Sequence, residues 1–423
     1  MTNKHSPQIQ TPPTSSWNLA NGSACVIAEM PEAALTCLDF WCKAGSVYEE
    51  KGEEGIAHFL EHMSFKGSKN LQEGEFDLKI EALGGSSNAA TGLDDVHFYI
   101  LVPPVELEKA LECLLDLVIT PTIANEAFQT ERQVVLEELA QQNDQPDEIL
   151  YQKLLGSCWA NHPYSRPILG TTESLNSLCT SSMIDFHSKR YRGSNCTLAI
   201  AGNVPKDIEK IINNSQLTSI QSISSNNWET TQSIKVPFTK GKIEVAIERL
   251  ESARILIAWP ASQAKDQKDI MGFDLATSIL AEGRRSLLVH RLREELQIID
   301  SIDIDISIHE AGGIIILELC CLEIQLIQVE KELHSILSSC LTRTITKAEL
   351  NRAKQLVRNG YYFGIELSSQ VSSLVGTQTL WGRNQNLLYP LSYLDFWTAE
   401  RLQEIIFPKL QLEESFTLIA KSK

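Results

Sequence analysis

The chain has 423 residues, a formal net charge of −17 from 37 basic and 54 acidic side chains, and 43% apolar residues. The apolar share is ordinary for a globular protein, and the length suits two or more domains that each bury a core. The acidic balance argues against nucleic acid as the main partner, and no run of 18 or so apolar residues offers a membrane span.

Residues 1–17 read as a disordered lead. They are polar, carry three prolines and lack the apolar core of a signal peptide and the arginine of a mitochondrial leader. Asn21-Gly22 marks a turn, flanked by strands, with further strands expected over 25–29 and 35–44. A helix holding His58-Phe59-Leu60-Glu61-His62 follows, then a second from about Glu75 to Leu83, ended by Gly84-Gly85. Residues 95–102 alternate as a strand that Pro103-Pro104 stops, and helical patterns fill 105–119 and 125–142. The chain turns polar over 213–235, the expected linker, so the domains are drawn at 18–212 and 236–423. The second half repeats the order of the first: strands over 254–259, 302–308 and 314–319, helices over 269–281, 323–341 and 346–363. Setting Arg352 against Arg132 puts Asn351 at the position of Glu131 and Arg358 at that of Glu138. The reading is therefore an α+β chain of two homologous domains, of which only the first keeps a ligand set.

That set starts from His58, Glu61 and His62. Positions i, i+3 and i+4 share one helix face, so two imidazoles and a carboxylate converge, and neutral imidazoles suit zinc. The spelling is the inverted form of the thermolysin motif. Three fixed positions also arise by chance in helices that bind nothing. A zinc hydrolase needs a third protein ligand, and the acidic helix around Glu131-Arg132-Gln133-Val134-Val135-Leu136-Glu137-Glu138 offers one. Glu131 and Glu138 lie two turns apart on one face, with Val134 and Val135 between them turning that face to the core. A carboxylate there is costly unless a cation is present; Glu137 reads as solvated.

Together these stretches resemble the pitrilysin-like (M16) zinc metallopeptidases. The lead-in Ala44-Gly45-Ser46 and the run Gly55 to Ser68 look like the family's zinc helix. The family's third ligand is a glutamate about 76 residues beyond the second histidine, and Glu138 stands at that distance from His62. The resemblance thus implies one Zn²⁺ per chain on His58, His62 and Glu138, with Glu131 as the supporting glutamate and Glu61 as the base that activates the zinc-bound water. Gly84 to Thr91 is similar to the edge strand that receives substrate as an added strand, which implies peptide contacts at Asn88, Ala89 and Thr91. His162-Pro163-Tyr164-Ser165-Arg166-Pro167-Ile168-Leu169-Gly170 resembles the family's H-P-Y-x-x-P-x-x-G loop. His97, His162 and His187 are read as ordinary core or surface histidines.

The second half departs from the family in one stretch. Self-sufficient members carry an arginine and a tyrosine in an R-E-x-x-x-x-x-Y run; here Arg293 matches, Gln297 replaces a glycine, and Asp300 stands where tyrosine is expected. A carboxylate lacks the donor that a phenol has. The implied function is a zinc-dependent endopeptidase acting on unfolded or presequence-like peptides. It resembles the zinc-binding subunit of a processing-peptidase-like heterodimer whose homologous partner supplies the Arg/Tyr pair; the alternative is a non-catalytic assembly subunit of the same fold. Ten cysteines without a C-x-x-C pair read as reduced thiols, which places the chain in the cytoplasm.

Overall fold

The computed structural model describes residues 11–222 and 236–423. The chain forms two compact units, one made of residues up to 139, 167–229 and 361–389, the other of 140–166, 230–360 and 390–423. Units and halves of the sequence therefore do not coincide. The segment 361–389 from the second half completes unit 1, and 140–166 from the first half completes unit 2.

Unit 1 holds the strands β1 (Thr14–Asn18), β2 (Ala24–Glu29), β3 (Thr36–Cys42), β4 (Ser86–Thr91), β5 (Val96–Val102) and β6 (Cys196–Gly202), in the order β1-β2-β6-β3-β5-β4. Only β2 and β6 run parallel. Residues 14–17, expected in the lead, pair with β2 through the Asn21-Gly22 turn, where Gly22 takes φ +93°. The rest of that lead, residues 1–10, and residues 223–235 of the expected linker lie outside the described residues.

The strand patterns follow from what covers each face. In β5, Val96, Phe98, Ile100 and Val102 point into the core while the residues between them are half-buried, the alternation of a strand packed hard on one side. Strands β3 and β6 are buried throughout, because their second face is covered as well. One face meets the helices α1 (Ile56–Ser64) and α3 (Leu107–Ile119), with α2 (Glu75–Ala82) preceding β4. The other packs Val26, Ala28, Trp41, Ala199 and Ala201 against Val371 and Val375 of the helix Ser368–Leu380. Gly376 of that helix lies so close that a Cβ would fall 2.5 Å from the Trp41 indole nitrogen.

Unit 2 holds β7 (Gly241–Ile247), β8 (Ala253–Ala261), β9 (Ser301–Ile308), β10 (Gly313–Cys321) and β11 (Phe416–Ser422), in the order β7-β11-β8-β10-β9. Apart from β1, this is the order of the first sheet strand for strand, with the parallel pair in the same place. The two units are thus homologous α+β folds. The helix α4 (Asn125–Asn143) is followed by α5 (Pro146–Cys158), and α5 lies on β11 and β8 of unit 2. Its counterpart after the helix Lys347–Phe363 is Ser368–Leu380, which lies on unit 1. Each sheet is covered by a helix from the other half of the sequence.

Candidate metal centre

Helix α1 begins where Gly55 adopts φ +91°. The buried Glu49 carboxylate accepts the N–H of Gly55 at 3.1 Å and of Ala57 at 3.0 Å, which satisfies end-of-helix donors and sets negative charge against the positive pole of the helix. Gly170, φ +74°, closes on the same end. A Cβ there would sit 2.2 Å from the Glu54 carbonyl oxygen, so the end of the 162–170 loop needs its glycine. Farther on, Ser68 donates to Asp116 Oδ2 of α3 and Asn70 Nδ2 donates to Oδ1 at 2.7 Å, which ties down the exit of the helix. Ile56, Ala57, Phe59, Leu60 and Met63 fill the core, and His58, Glu61 and His62 share the remaining face.

Helix α4 meets α1 through Phe128, whose ring stacks on Phe59 at 4.6 Å. Phe128, Glu131, Val135 and Leu139 form its buried seam. Glu131 is 5% exposed and Val135 fully buried, but Val134 is 44% exposed. The expectation that both valines face the core is corrected: the seam is one residue wide at that turn, and Val134 falls about 100° off it. Glu137 is exposed, as its solvated reading requires.

The two helices bring His58, His62 and Glu138 together, with ligand atoms all within 4.8 Å of one another. His58 Nε2 lies 3.7 Å from Glu138 Oε1, and His62 Nε2 lies 3.4 Å from Oε2. A tetrahedral zinc with bonds of about 2.0–2.2 Å holds its donor atoms about 3.3–3.5 Å apart; the donor set suits that ion, with the 3.4 Å pair at this spacing and the 3.7 Å pair slightly wider. Among the described residues this is the one His/Cys/Asp/Glu group of that kind. Glu131 Oε1 accepts from His62 Nδ1 at 2.9 Å, which turns Nε2 toward Glu138, and Glu131 Oε2 is paired with Lys66 Nζ at 2.8 Å. His58 Nδ1 is buried and has no hydrogen-bond partner among the described residues. Glu61 stands beside the cluster, where Thr91 Oγ1 of β4 donates to its Oε2 at 2.5 Å. Burial raises the Glu61 carboxyl above the usual range, and the Thr91 hydrogen bond partly opposes this.

Burial, aided by the His62 ring, pushes His58 down to about 4, and burial does the same to His309 of unit 2. Unfolded histidines titrate near 6.5, so between those values the unfolded chain binds more protons than the folded one. Stability of the metal-free chain is therefore expected to be full above about pH 6.5 and to fall as the pH drops toward 4, on the order of 3 kcal/mol per histidine. Urea unfolding of chelator-treated protein at pH 7.5 and pH 5 measures this; equal midpoints would refute it.

Strand β4 is the sheet edge. Along it Asn88 is exposed and Ala89 half-buried, and Asn88 Oδ1 accepts the Ala89 N–H at 2.9 Å. Arg293 belongs to unit 2, in the π-helical turn Val289–Glu295, and lines a cavity of about 370 Å³ with Thr277, Ser278, Glu282 and Asp303. Gln297 takes φ +52°, the left-handed conformation that explains a glycine there. Gln297→Gly is expected to raise stability by about 0.5–1 kcal/mol; a urea midpoint that falls or does not move would show that the turn carries no such strain. Asp300 is exposed, and its N–H donates to the Cys320 carbonyl at 2.8 Å. The other histidines have structural partners: His97 Nδ1 with Asp39 at 3.0 Å and stacked on Trp41, His162 Nδ1 with the Tyr164 N–H, His187 Nε2 with the Val118 carbonyl. Sequence reasoning missed Glu49 and Lys66. The signal for Lys66 was a cation four residues after His62, just past the helix end.

A duplicated α+β unit with a two-histidine, one-glutamate cluster in the first copy is the layout of a class of zinc proteases. Two family models match: Insulinase (Peptidase family M16) over residues 25–172 and Peptidase M16 inactive domain over 177–357. The chain belongs to peptidase family M16. It is 27% identical to an uncharacterized zinc protease of Rickettsia felis over 85% of each chain. It is 28% identical to the beta subunit of the mitochondrial-processing peptidase of Bos taurus, over 56% of this chain and 51% of that one. The crystal structure of a protease from Helicobacter pylori superposes with a TM-score of 0.88 at 23% identity, covering 97% of this chain and 100% of the other. No helix among the described residues is long and apolar enough to cross a membrane.

Proposed function

We propose that the chain is a zinc-dependent endopeptidase, the catalytic subunit of an assembly that cleaves unfolded or presequence-like peptides. The observation that carries this is the convergence of His58, His62 and Glu138 within 4.8 Å, with the Glu61 carboxylate oriented beside them by Thr91. His58, His62 and Glu138 would hold one zinc per chain. When bound, zinc supplies Lewis-acid polarisation of a carbonyl and acidification of water. Glu61 does the proton work. Thr91 occupies one of its oxygens, and the other takes up a proton and returns it to the leaving amine. The raised Glu61 carboxyl suits a group that must hold a proton and then give it up. Glu131 orients His62. The outer edge of β4, at Asn88, Ala89 and Thr91, would pair with a peptide main chain, which favours extended substrates with loose side-chain preference, and Arg293 would contribute a further peptide contact. All ten cysteines are free thiols, which supports a reducing compartment such as the cytoplasm.

Asp300 favours a partner. Lacking the phenol donor expected there, the chain would work as a heterodimer with a homologous subunit that supplies the Arg/Tyr pair. Asp300 is also the feature that favours the second reading, a non-catalytic assembly subunit of this fold. Zinc content, solution mass and hydrolysis of an unfolded peptide, measured on the purified chain alone and with any co-purifying homologue, test both. Zinc with cleavage only in the mixture supports the heterodimer. Full turnover by a homogeneous monomer or homodimer would defeat it, and absence of cleavage in every mixture would leave the assembly role.

A further inference from the structure

His62 stands in the last turn of α1, and Lys66 follows the end of that helix at Ser64 by two residues, in a turn where its N–H donates to the Met63 carbonyl at 3.1 Å. Both side chains reach the same carboxylate. Lys66 Nζ is 2.8 Å from Glu131 Oε2, and His62 Nδ1 is 2.9 Å from Oε1. A carboxylate as buried as that of Glu131 is costly unless donors and a counter-charge engage its oxygens. With His62 as its lone partner, the group could rotate and present either oxygen, at a range of angles, to the imidazole. Lys66 removes that freedom. The lysine is itself held at a defined place: Gly67 turns the chain immediately after it at φ +113°, Ser68 is fastened to Asp116, and Glu73 Oε1 lies 3.4 Å from Nζ. His58 offers a contrast, since its Nδ1 has no hydrogen-bond partner among the described residues. Of the two imidazoles in the cluster, only His62 has its orientation built by a chain of side chains.

We propose that Lys66 is a positioning residue for the metal centre: by clamping Glu131 Oε2 it fixes the orientation and the Nδ1–H tautomer of His62, so that Nε2 faces Glu138. The inference rests on the assignment of His58, His62 and Glu138 as zinc ligands.

The test uses the full-length chain in four forms: Lys66→Met, Lys66→Arg, Glu131→Gln, and Lys66→Met with Glu131→Gln. Zinc affinity is measured by chelator competition, and the His62 ring nitrogen shifts are read in the metal-free chain. Lys66→Met is expected to weaken zinc about 10-fold or more, within the range of about 10–100-fold typical of groups that support a ligand. It should also shift His62 from a single tautomer toward a mixture. Lys66→Arg keeps a cation in reach and should restore most of the affinity. In the Glu131→Gln background, Lys66→Met should cost nothing further, because the clamp no longer has its target. Unchanged affinity in Lys66→Met, or the same loss in both backgrounds, would overturn the proposal. Unfolding midpoints of the metal-free variants separate a misfolded Lys66→Met from a folded one. The Arg variant and the double-mutant comparison keep the idea falsifiable if Met fails to fold. Since the readouts are affinity and tautomer, a chain that binds zinc yet cleaves no peptide, alone or in any mixture with a homologous partner, would end the peptidase reading and leave this one standing.

Discussion

Replacing Glu61 by Gln is expected to lower peptide hydrolysis by about 10²–10⁴-fold while leaving zinc and peptide binding intact. Glutamine keeps the shape and can still accept from Thr91 Oγ1, which lies 2.5 Å from Glu61 Oε2, but an amide cannot take up a proton at neutral pH. Glu61 also contributes no atom to the His58, His62 and Glu138 cluster, so metal content should not follow activity. Hydrolysis of an unfolded peptide under conditions where the wild-type chain or its mixture turns over, with zinc measured on the same samples, decides the matter. A Gln variant as active as wild type would remove Glu61 as the base. A variant that loses zinc as well would show that the carboxylate is needed to build the site and not only to run it.

The second large effect is on the metal itself. His62→Ala or Glu138→Gln should each lose most bound zinc, because a site with three protein ligands has none to spare. Glu138 is the less enclosed of the pair, with its side chain 42% exposed against 22% for His62, so its replacement should disturb the fold less. The pair of variants therefore separates ligand loss from structural damage. Full zinc in both would sink the ligand assignment. Glu131→Gln is a useful comparison: it removes the negative charge on the group that accepts from His62 Nδ1–H and pairs with Lys66, without removing a ligand, and a loss between wild type and the ligand variants is expected.

Much of this centre was legible in the residues because helical spacing and ligand chemistry are both local rules. His58, Glu61 and His62 needed only the helix repeat, and the step from Glu131 to Glu138 needed it twice. Thr91 was legible only in part. Its place on an edge strand was readable by resemblance, but its hydroxyl is engaged by Glu61 across a long sequence gap, a contact no periodicity encodes. Lys66 showed only as a cation four residues after His62, since the fold alone brings its partner Glu131 near, and Glu49 acts on nearby backbone N–H groups that no side-chain pattern marks. In the fold, strands β6, β7 and β11 went unread. Cys196-Thr197-Leu198-Ala199-Ile200-Ala201-Gly202 is buried on both faces and so shows no alternation, and a short apolar run is ambiguous between strand and buried helix. The helices α5 and Ser368–Leu380 were missed because each is nearly as apolar on one side as on the other, and nothing in a helix names the sheet it will cover. The domain borders drawn at 212 and 236 therefore divide the chain by sequence, while its compact units interleave.

That interleaving sets an order of events during synthesis. The sheet that carries the ligand helices cannot cover Val26, Ala28, Trp41, Ala199 and Ala201 until the helix Ser368–Leu380 has left the ribosome. A nascent chain that already contains every metal ligand still exposes an apolar sheet face for want of a segment some two hundred residues farther on. The unit that carries the metal ligands is thus completed only after residues 361–389 have been made. Premature termination before residue 361 leaves a sticky, uncovered sheet of the kind that quality-control proteases clear, so a free-standing metal-binding fragment would be short-lived.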